Sequence, residues 1–272
     1  MTVIATNISA LRAANASTSA NNMLSTSMQR LSTGSRINSA KDDAAGLAIS
    51  SSMTSQIRGM TQGIRNSNDG IAMAQTADGA LDEVTNMIQR VRELAVQSAS
   101  GTYSDSDRTD MQTEVTALTG QITNILKNTD FNGVKLFDGS AGTAGAVTIQ
   151  TGSNTADTVT LNLKTLDLTT AVATDITTQT KASGVLDTLN TALQTVTTAR
   201  AGLGAAESQL TSVVANMTSD VTNLTAAKSQ ISDTDFSAET ASLAKAQILS
   251  QASTAMLAQA NQSQQGVLKL LQ

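Results

Sequence analysis

The residues best placed for chemistry in this sequence are carboxylates, and they are few. Asp105-x-Asp107-x-x-Asp110 spaces three acids like the opening of a calcium loop. Such a loop also needs a central glycine and an acid at its twelfth position. That position is Thr116, so helix capping is the better reading. Asp42-Asp43 precedes a predicted helix, where anions complement the positive end of the helix dipole; capping is again preferred over a catalytic pair. Other routes are closed by inventory. The chain has no His and no Cys, so it offers no imidazole base, thiol nucleophile or His- or Cys-ligated metal site. No glycine loop of the phosphate-cradling kind occurs. The expectation is a non-enzyme with no catalytic residues, metal or cofactor.

The elements that would position such groups are helical. The chain of 272 residues has no Pro and no Trp, one Tyr and three Phe. Average usage would supply roughly a dozen prolines, and their absence permits long uninterrupted helices. Leu186, Leu189, Leu193, Val196, Arg200, Leu203, Glu207, Leu210, Val214, Met217, Val221, Leu224, Lys228 and Ile231 alternate spacings of three and four. That seam predicts one helix from about Ser183 to Ser232. Leu81, Val84, Ile88, Val91 and Ala95 repeat the pattern, as do Met111, Val115, Leu118, Ile122 and Ile125. A loop at Ser98–Ser104 separates these two, and Ser104 with Asp107 makes a capping-box start for the second. The three seams predict a three-helix bundle.

Residues 131–182 read differently. Phe131-Asn-Gly133 and Asp138-Gly139 are turn signals. Val147 and Ile149, then Val159, Leu161 and Leu163, alternate with polar residues, which predicts a β-hairpin over about 147–163. The Thr-rich stretch that follows reads as a loop, its hydroxyls open to O-glycosylation. The fold class expected is mainly α: a long antiparallel bundle or coiled coil with one small β-hairpin region and paired termini.

The ends carry thin apolar stripes. Ile4, Ile8, Leu11, Leu24, Met28 and Leu31 mark the N-terminus; Leu243, Ile248, Leu249, Met256, Leu257, Val267, Leu268 and Leu271 mark the C-terminus. Ser232 and Asp235 suggest a capping-box start for a last helix. Neither stripe would hold a helix alone in water, so both ends are expected to be disordered in the monomer and to become helical against neighbours. Only 14% of residues are charged, which suits a surface buried against copies of itself. The net charge of −5 argues against nucleic-acid binding. Residues 1–65 carry six basic side chains against Asp42 and Asp43, read as solvated helix faces. The start of the chain lacks the basic and apolar regions of a cleaved signal peptide, and no stretch reaches the ~18 apolar residues of a membrane span.

Several strings then point to one family. Arg30-Leu-Ser-Thr-Gly-Ser-Arg-Ile-Asn-Ser-Ala-Lys-Asp-Asp-Ala-Ala-Gly46, Asn68-Asp-Gly-Ile71, Gln89-Arg-Val-Arg-Glu-Leu-Ala-Val-Gln-Ser98 and Phe131-Asn-Gly-Val134 occur in that order. Ala246-Gln-Ile-Leu249 and Met256-Leu-Ala-Gln-Ala-Asn-Gln262 follow near the other end. Together they resemble bacterial flagellin over residues 1–163 and about 180–272. The resemblance implies an inner coiled-coil domain of residues 1–44 with 233–272, and a rod domain of residues 45–232. It implies no outer domains, because about twenty residues separate hairpin from long helix. Function would be polymerisation into an extracellular flagellar filament for swimming, after export unfolded by the flagellar secretion apparatus. Implied partners are copies of the chain, an export chaperone on the C-terminal stripe, and the cap and hook–filament junction proteins. The resemblance further implies that Gln89, Arg90, Glu93, Leu94 and Glu114 match the surface by which vertebrate Toll-like innate receptors bind flagellin monomers. Rival readings are a hook–filament junction protein, a surface adhesin-like homologue and a chemoreceptor signalling hairpin. The Gln89–Ser98 string argues against the first, the scarcity of aromatics against the second, and the lack of a membrane span or sensor domain against the third.

Overall fold

A chain without proline has few places where a helix must stop, and the computed structural model shows the consequence. It describes residues 6–269, with side chains through residue 266. Ile4 and Leu271 lie outside the described residues, as do the side chains of Val267 and Leu268. The helices are α1 (Ile8–Thr33), α2 (Ala44–Ala99), α3 (Asp105–Asn128), α4 (Thr169–Val172), α5 (Gln179–Ser232) and α6 (Phe236–Lys269). Two antiparallel hairpins interrupt them: β1 (Asp130–Phe131) with β2 (Val134–Lys135), and β3 (Ala146–Gln150) with β4 (Thr158–Asn162). Among the described residues, no helix is long and apolar enough to cross a membrane.

The chain divides into two compact units, residues 1–55 with 223–272, and residues 56–222. In the larger unit, α2 runs antiparallel to both α3 and α5. Arg90 pairs with Glu114 of α3, while Arg200 of α5 pairs with Asp78 and Asp82. The α2 seam is buried at Ala74, Ala77, Leu81, Val84, Ile88, Val91 and Ala95, extending the expected pattern towards the N-terminus. On α5 every seventh residue is buried, Leu189, Val196, Leu203, Leu210 and Met217, while Leu186, Leu193 and Val214 are half-buried. Two of the charges that interrupt this seam have partners across it. Arg200 meets the two aspartates, and Glu207 accepts from the Gln75 amide at 2.6 Å.

The hairpins follow from local chemistry. Asn132 and Gly133 have φ of 51° and 79°, the paired left-handed conformation of a two-residue hairpin turn. The predicted turn there is thus a second small hairpin. In β3–β4 the register pairs Ile149 with Val159 and Val147 with Leu161. Ile149, Val159 and Leu161 face inward and are buried, while Thr148, Gln150, Thr158, Thr160 and Asn162 are exposed.

Residues 163–178 are not the free loop that their threonines suggest. Leu163, Leu168, Ala171, Thr174 and Ile176 are buried. The segment is strapped to the bundle by Gln112, whose amide donates to the Thr174 carbonyl at 3.1 Å and accepts from the Ile176 N–H at 2.7 Å. At its end, Asp175 accepts from the Lys181 ammonium at 2.6 Å and from the Thr177 N–H and hydroxyl. The Lys181 bond, and then the two Thr177 bonds, lower the Asp175 carboxyl from the usual 3.8 to about 2. A carboxylate lowered on folding stabilises the folded state above its unfolded value, and that contribution is lost as pH falls through the folded one. The Thr177 amide resonance is therefore expected to titrate near pH 2. Asp175→Asn should abolish that titration. An amide that titrates near 4 would show that the carboxylate is not held.

In the smaller unit α1 and α6 pair antiparallel. The Asn7 amide donates to the Ala260 carbonyl, the Ser250 hydroxyl to Asn21, and Arg30 lies 3.7 Å from Glu239. Gly34 ends α1 with φ of 70°, its N–H returning to the Arg30 carbonyl, the usual glycine stop. Asp43 accepts from the Gly46 N–H at 2.8 Å and starts α2, as its position suggested. The start of α6 departs from expectation. Its cap is Asp235, which accepts from the Ser237 and Ala238 amides. Ser232 instead donates back to the Lys228 carbonyl, because α5 is still helical there.

Many hydroxyls along the helices bond back to their own helix. Thr18, Thr54, Thr85, Thr113, Thr195, Ser212, Thr222 and Thr254 each donate to the carbonyl four residues earlier. This back-bonding satisfies the donor locally.

Candidate functional site

Two sets of residues were singled out by sequence, and the structure treats them differently. The first is the pair of terminal stripes. The most buried positions of the seam between α1 and α6 are small residues. Ala13, Ala20 and Ser27 are buried on α1, and Ala246 and Ser253 on α6, each set seven residues apart. Ala10, Ser17, Leu24 and Leu31 fill the alternate positions on α1, half-buried; Leu243, Ser250 and Leu257 do so on α6, where Ala260, half-buried, continues the Ala246–Ser253 series. The stripe residues Leu24, Leu31, Leu243 and Leu257 therefore belong to the intramolecular seam. Ile8, Leu11 and Met28 on α1, and Ile248, Leu249 and Met256 on α6, stay exposed, with Met256 at 63%. Phe236, not singled out from sequence, joins them. Each terminal helix thus has two apolar faces, a small one that pairs and a bulky one left open. Large exposed apolar side chains grouped on one element mark an interaction surface.

The second set lies on the bundle. The Arg90 guanidinium bridges two carboxylates, donating to Glu114 at 2.8 Å and Glu93 at 3.0 Å. Those bonds, Glu114 first, raise its pKa further above the usual arginine value. Gln89 is exposed beside them. Leu94 is only 3% exposed and sits in the core with Val91 and Ala95. Four of the five residues therefore form an outward polar patch, and Leu94 supports it from beneath.

A residue that sequence reasoning missed is Arg108. Its spacing gives no sign of burial, yet it is only 4% exposed. It donates to the Ser98 hydroxyl at 3.3 Å and to the Ser100 and Tyr103 carbonyls at 2.8 and 3.1 Å. Ser98 in turn donates to the Ile176 carbonyl at 2.6 Å. One guanidinium thus closes the α2–α3 loop and, through Ser98, holds the strap. Two of the three acids beside it take ordinary roles: Asp107 completes the capping box with Ser104, and Asp105 lies 3.7 Å from Arg108. Among the described residues, no group of His, Cys, Asp or Glu is arranged to hold a metal.

Residues 4–142 match the N-terminal helical region of bacterial flagellin, and residues 186–271 match its C-terminal helical region. The chain belongs to the flagellin family. Relatives agree along its length. A flagellin of Halalkalibacterium halodurans is 42% identical over 248 residues, 90% of each chain. A flagellin of Xenorhabdus nematophila is 43% identical and covers 99% of both. Among solved structures, Bacillus cereus flagellin matches with a TM-score of 0.52 at 32% identity, over 60% of this chain and 94% of that one. A putative flagellar hook-associated protein of Vibrio parahaemolyticus matches at a TM-score of 0.62 over 71% of this chain and 100% of that one. Its 15% identity shows a shared fold only. Members of the family are structural subunits that polymerise into the extracellular bacterial flagellar filament, the helical polymer of swimming motility, and this chain is one of them.

Proposed function

We propose that the α1–α6 pair is the assembly device of this filament subunit. The chain is exported unfolded by the flagellar secretion apparatus, and its ends take up their paired helices as they are buried between copies. The observation that supports this is the division of faces: a small-residue seam pairs the two ends, and bulky side chains such as Ile8, Leu11, Met28, Ile248, Leu249 and Met256 stay open. A thin seam gives little stability alone, and burial of the second face supplies what offsets the ordering entropy. Amide exchange on monomer and polymer tests it. Residues 6–33 should exchange freely in the monomer and be protected in the filament; strong protection in the monomer would sink the reading.

The division of labour follows the family. Residues 1–44 with 233–272 form the inner domain and residues 45–232 the rod. No outer domain is inserted, so the filament is thin and smooth. The β3–β4 hairpin takes part in packing between copies. Before assembly a dedicated chaperone covers the C-terminal stripe, and growth proceeds beneath a cap from a hook–filament junction. No catalytic step is assigned, in keeping with a chain that lacks His and Cys.

Free monomer is also recognised by a Toll-like innate receptor through Gln89, Arg90, Glu93 and Glu114, with Leu94 shaping the surface from below. Arg90→Ala removes the bridge between two carboxylates and leaves like charges facing a partner. Receptor-reporter signal from the monomer is expected to fall about tenfold or more, with bundle melting unchanged because the three side chains are solvent-exposed. Full signal from Arg90→Ala would remove the assignment.

A further inference from the structure

Glycine is the poorest helix former after proline, yet α2 carries Gly59, Gly63 and Gly70 within three turns. Space explains all three. A Cβ on Gly63 would stand 1.9 Å from the Thr151 carbonyl oxygen and 2.6 Å from its carbon. On Gly59 it would lie 2.8 Å from the Ser153 Cβ, and on Gly70 2.4 Å from the Ile149 Cδ1. All three obstructions belong to the β3–β4 hairpin or its connecting loop. Gly79, Gly120, Gly184, Gly202 and Gly204, also in helices, would meet nothing within 4 Å. The contrast separates a notch from glycines without a spatial reason.

The notch is finished by polar fittings. The Asn66 amide donates to the Gln150 carbonyl at 2.9 Å, one turn from Gly63. Ser67 is fully buried and turns its hydroxyl back to the Gly63 carbonyl. Thr151 is buried over Gly63, held by bonds from its N–H and hydroxyl to the Asp157 carbonyl. At Gly63 the obstruction is backbone, which cannot rotate aside as a side chain can. The inner side chains Ile149 and Val159 reach Leu210 of α5, while the outer face of Thr148, Gln150, Thr158, Thr160 and Asn162 is exposed.

We propose that Gly59, Gly63 and Gly70 are the seat that sets where the β3–β4 hairpin stands on the bundle, and thereby position its outer face for packing between copies. The second half rests on the reading that the hairpin takes part in that packing. The depth of the notch is fixed by missing Cβ atoms, so the hairpin height is encoded on α2 and not in the strands.

The test uses the full-length chain. Gly63→Ala is expected to strip exchange protection from the Ile149 and Val159 region while the Val84–Val91 core stays protected. Its filaments should change wavelength under dark-field microscopy, or its critical concentration should rise roughly tenfold. Gly59→Ala should act in the same direction more weakly. Gly59→Ala with Ser153→Gly should restore wild-type behaviour, since the obstructing Cβ is removed and the Ser153 Cα is at 3.5 Å. Gly79→Ala and Gly120→Ala should behave as wild type. An undisturbed hairpin in Gly63→Ala overturns the seat. If that variant fails to fold, the Gly59 pair decides, and absence of an effect or of rescue overturns it. A displaced hairpin with unchanged filaments overturns the packing reading and with it the second half of the proposal.

Discussion

Replacing Ala246 with leucine is expected to raise the critical concentration for filament growth by about ten- to a hundredfold while the three-helix bundle melts as in the wild type. Ala246 is 0% exposed in the α1–α6 seam, and Ala20 on the facing helix is 2% exposed. Both belong to the small-residue series that lets the two backbones approach. Interaxial distance between packed helices depends on the side chains at the contact, so a leucine at this position forces the pair apart. Overpacking a close-packed contact costs about 1–3 kcal/mol. The seam recurs in every copy, and each 1.4 kcal/mol is a factor of ten in an equilibrium constant. Critical concentration should therefore rise by about ten- to a hundredfold. Seeded polymerisation followed by light scattering measures growth, and thermal unfolding by circular dichroism measures the bundle. Normal growth from Ala246→Leu would mean that the ends do not pair through this seam in the filament. Met256→Leu, on the open face, serves as the conservative control and should polymerise.

Arg108→Met is the substitution expected to cost most within the bundle. Methionine keeps much of the stem length but no donor. The Ser100 and Tyr103 carbonyls and the Ser98 hydroxyl would lose their charged partner. Bonds from a charged donor contribute more than neutral ones, and a buried group left unmatched bears its desolvation cost. The loss is about 3 kcal/mol, a large share of the 5–15 kcal/mol typical of a domain. Urea unfolding of the monomer gives the number directly. Because Ser98 also donates to the Ile176 carbonyl, residues 173–178 should lose amide protection before the rest unfolds. A change below ~1 kcal/mol would show that the network is replaced by water.

Much of the larger unit is legible in the sequence because its seams contrast in hydropathy. Leu81, Val84 and Ile88 stand against polar neighbours, and so do Leu189, Val196 and Leu210; spacing alone places them. The hairpin is legible for the same reason, through alternation at Val147, Ile149, Val159 and Leu161. The terminal seam is legible only in part: Leu24, Leu31, Leu243 and Leu257 of the stripes lie in it, but its most buried members, Ala13, Ala20, Ser27, Ala246 and Ser253, carry almost no hydropathy signal. The eye goes instead to Ile8, Leu11 and Met256, which the structure leaves outside. Burial of Arg108 depends on three oxygens brought together by a turn, and no spacing announces that. The threonines of residues 163–178 hide Leu168 and Ile176, too few and too irregular to form a periodic pattern. The glycine notch is invisible for the opposite reason: a missing side chain has no pattern until its neighbour is seen. At the Arg90 patch, helical spacing puts Arg90 and Glu93 outward, but only the packing shows Leu94 turned in.

The threonine and serine hydroxyls that bond back to their own helices bear on how this polymer can hold together with so few charges. A hydroxyl turned to water or to a partner chain normally needs a donor and acceptor match wherever it goes, and burying it unmatched is costly. Here the donor already has its oxygen, one turn away, and keeps it whatever lies outside. Such a face can pass from solvent to dry contact with little penalty, although its composition is polar. It also makes no directional demand on what covers it. A neighbour could sit against it in more than one register, a fraction of a turn up or down, without stranding a donor. Water-compatible in transit and indifferent to register when packed, the surface behaves as a lubricated contact more than a keyed one.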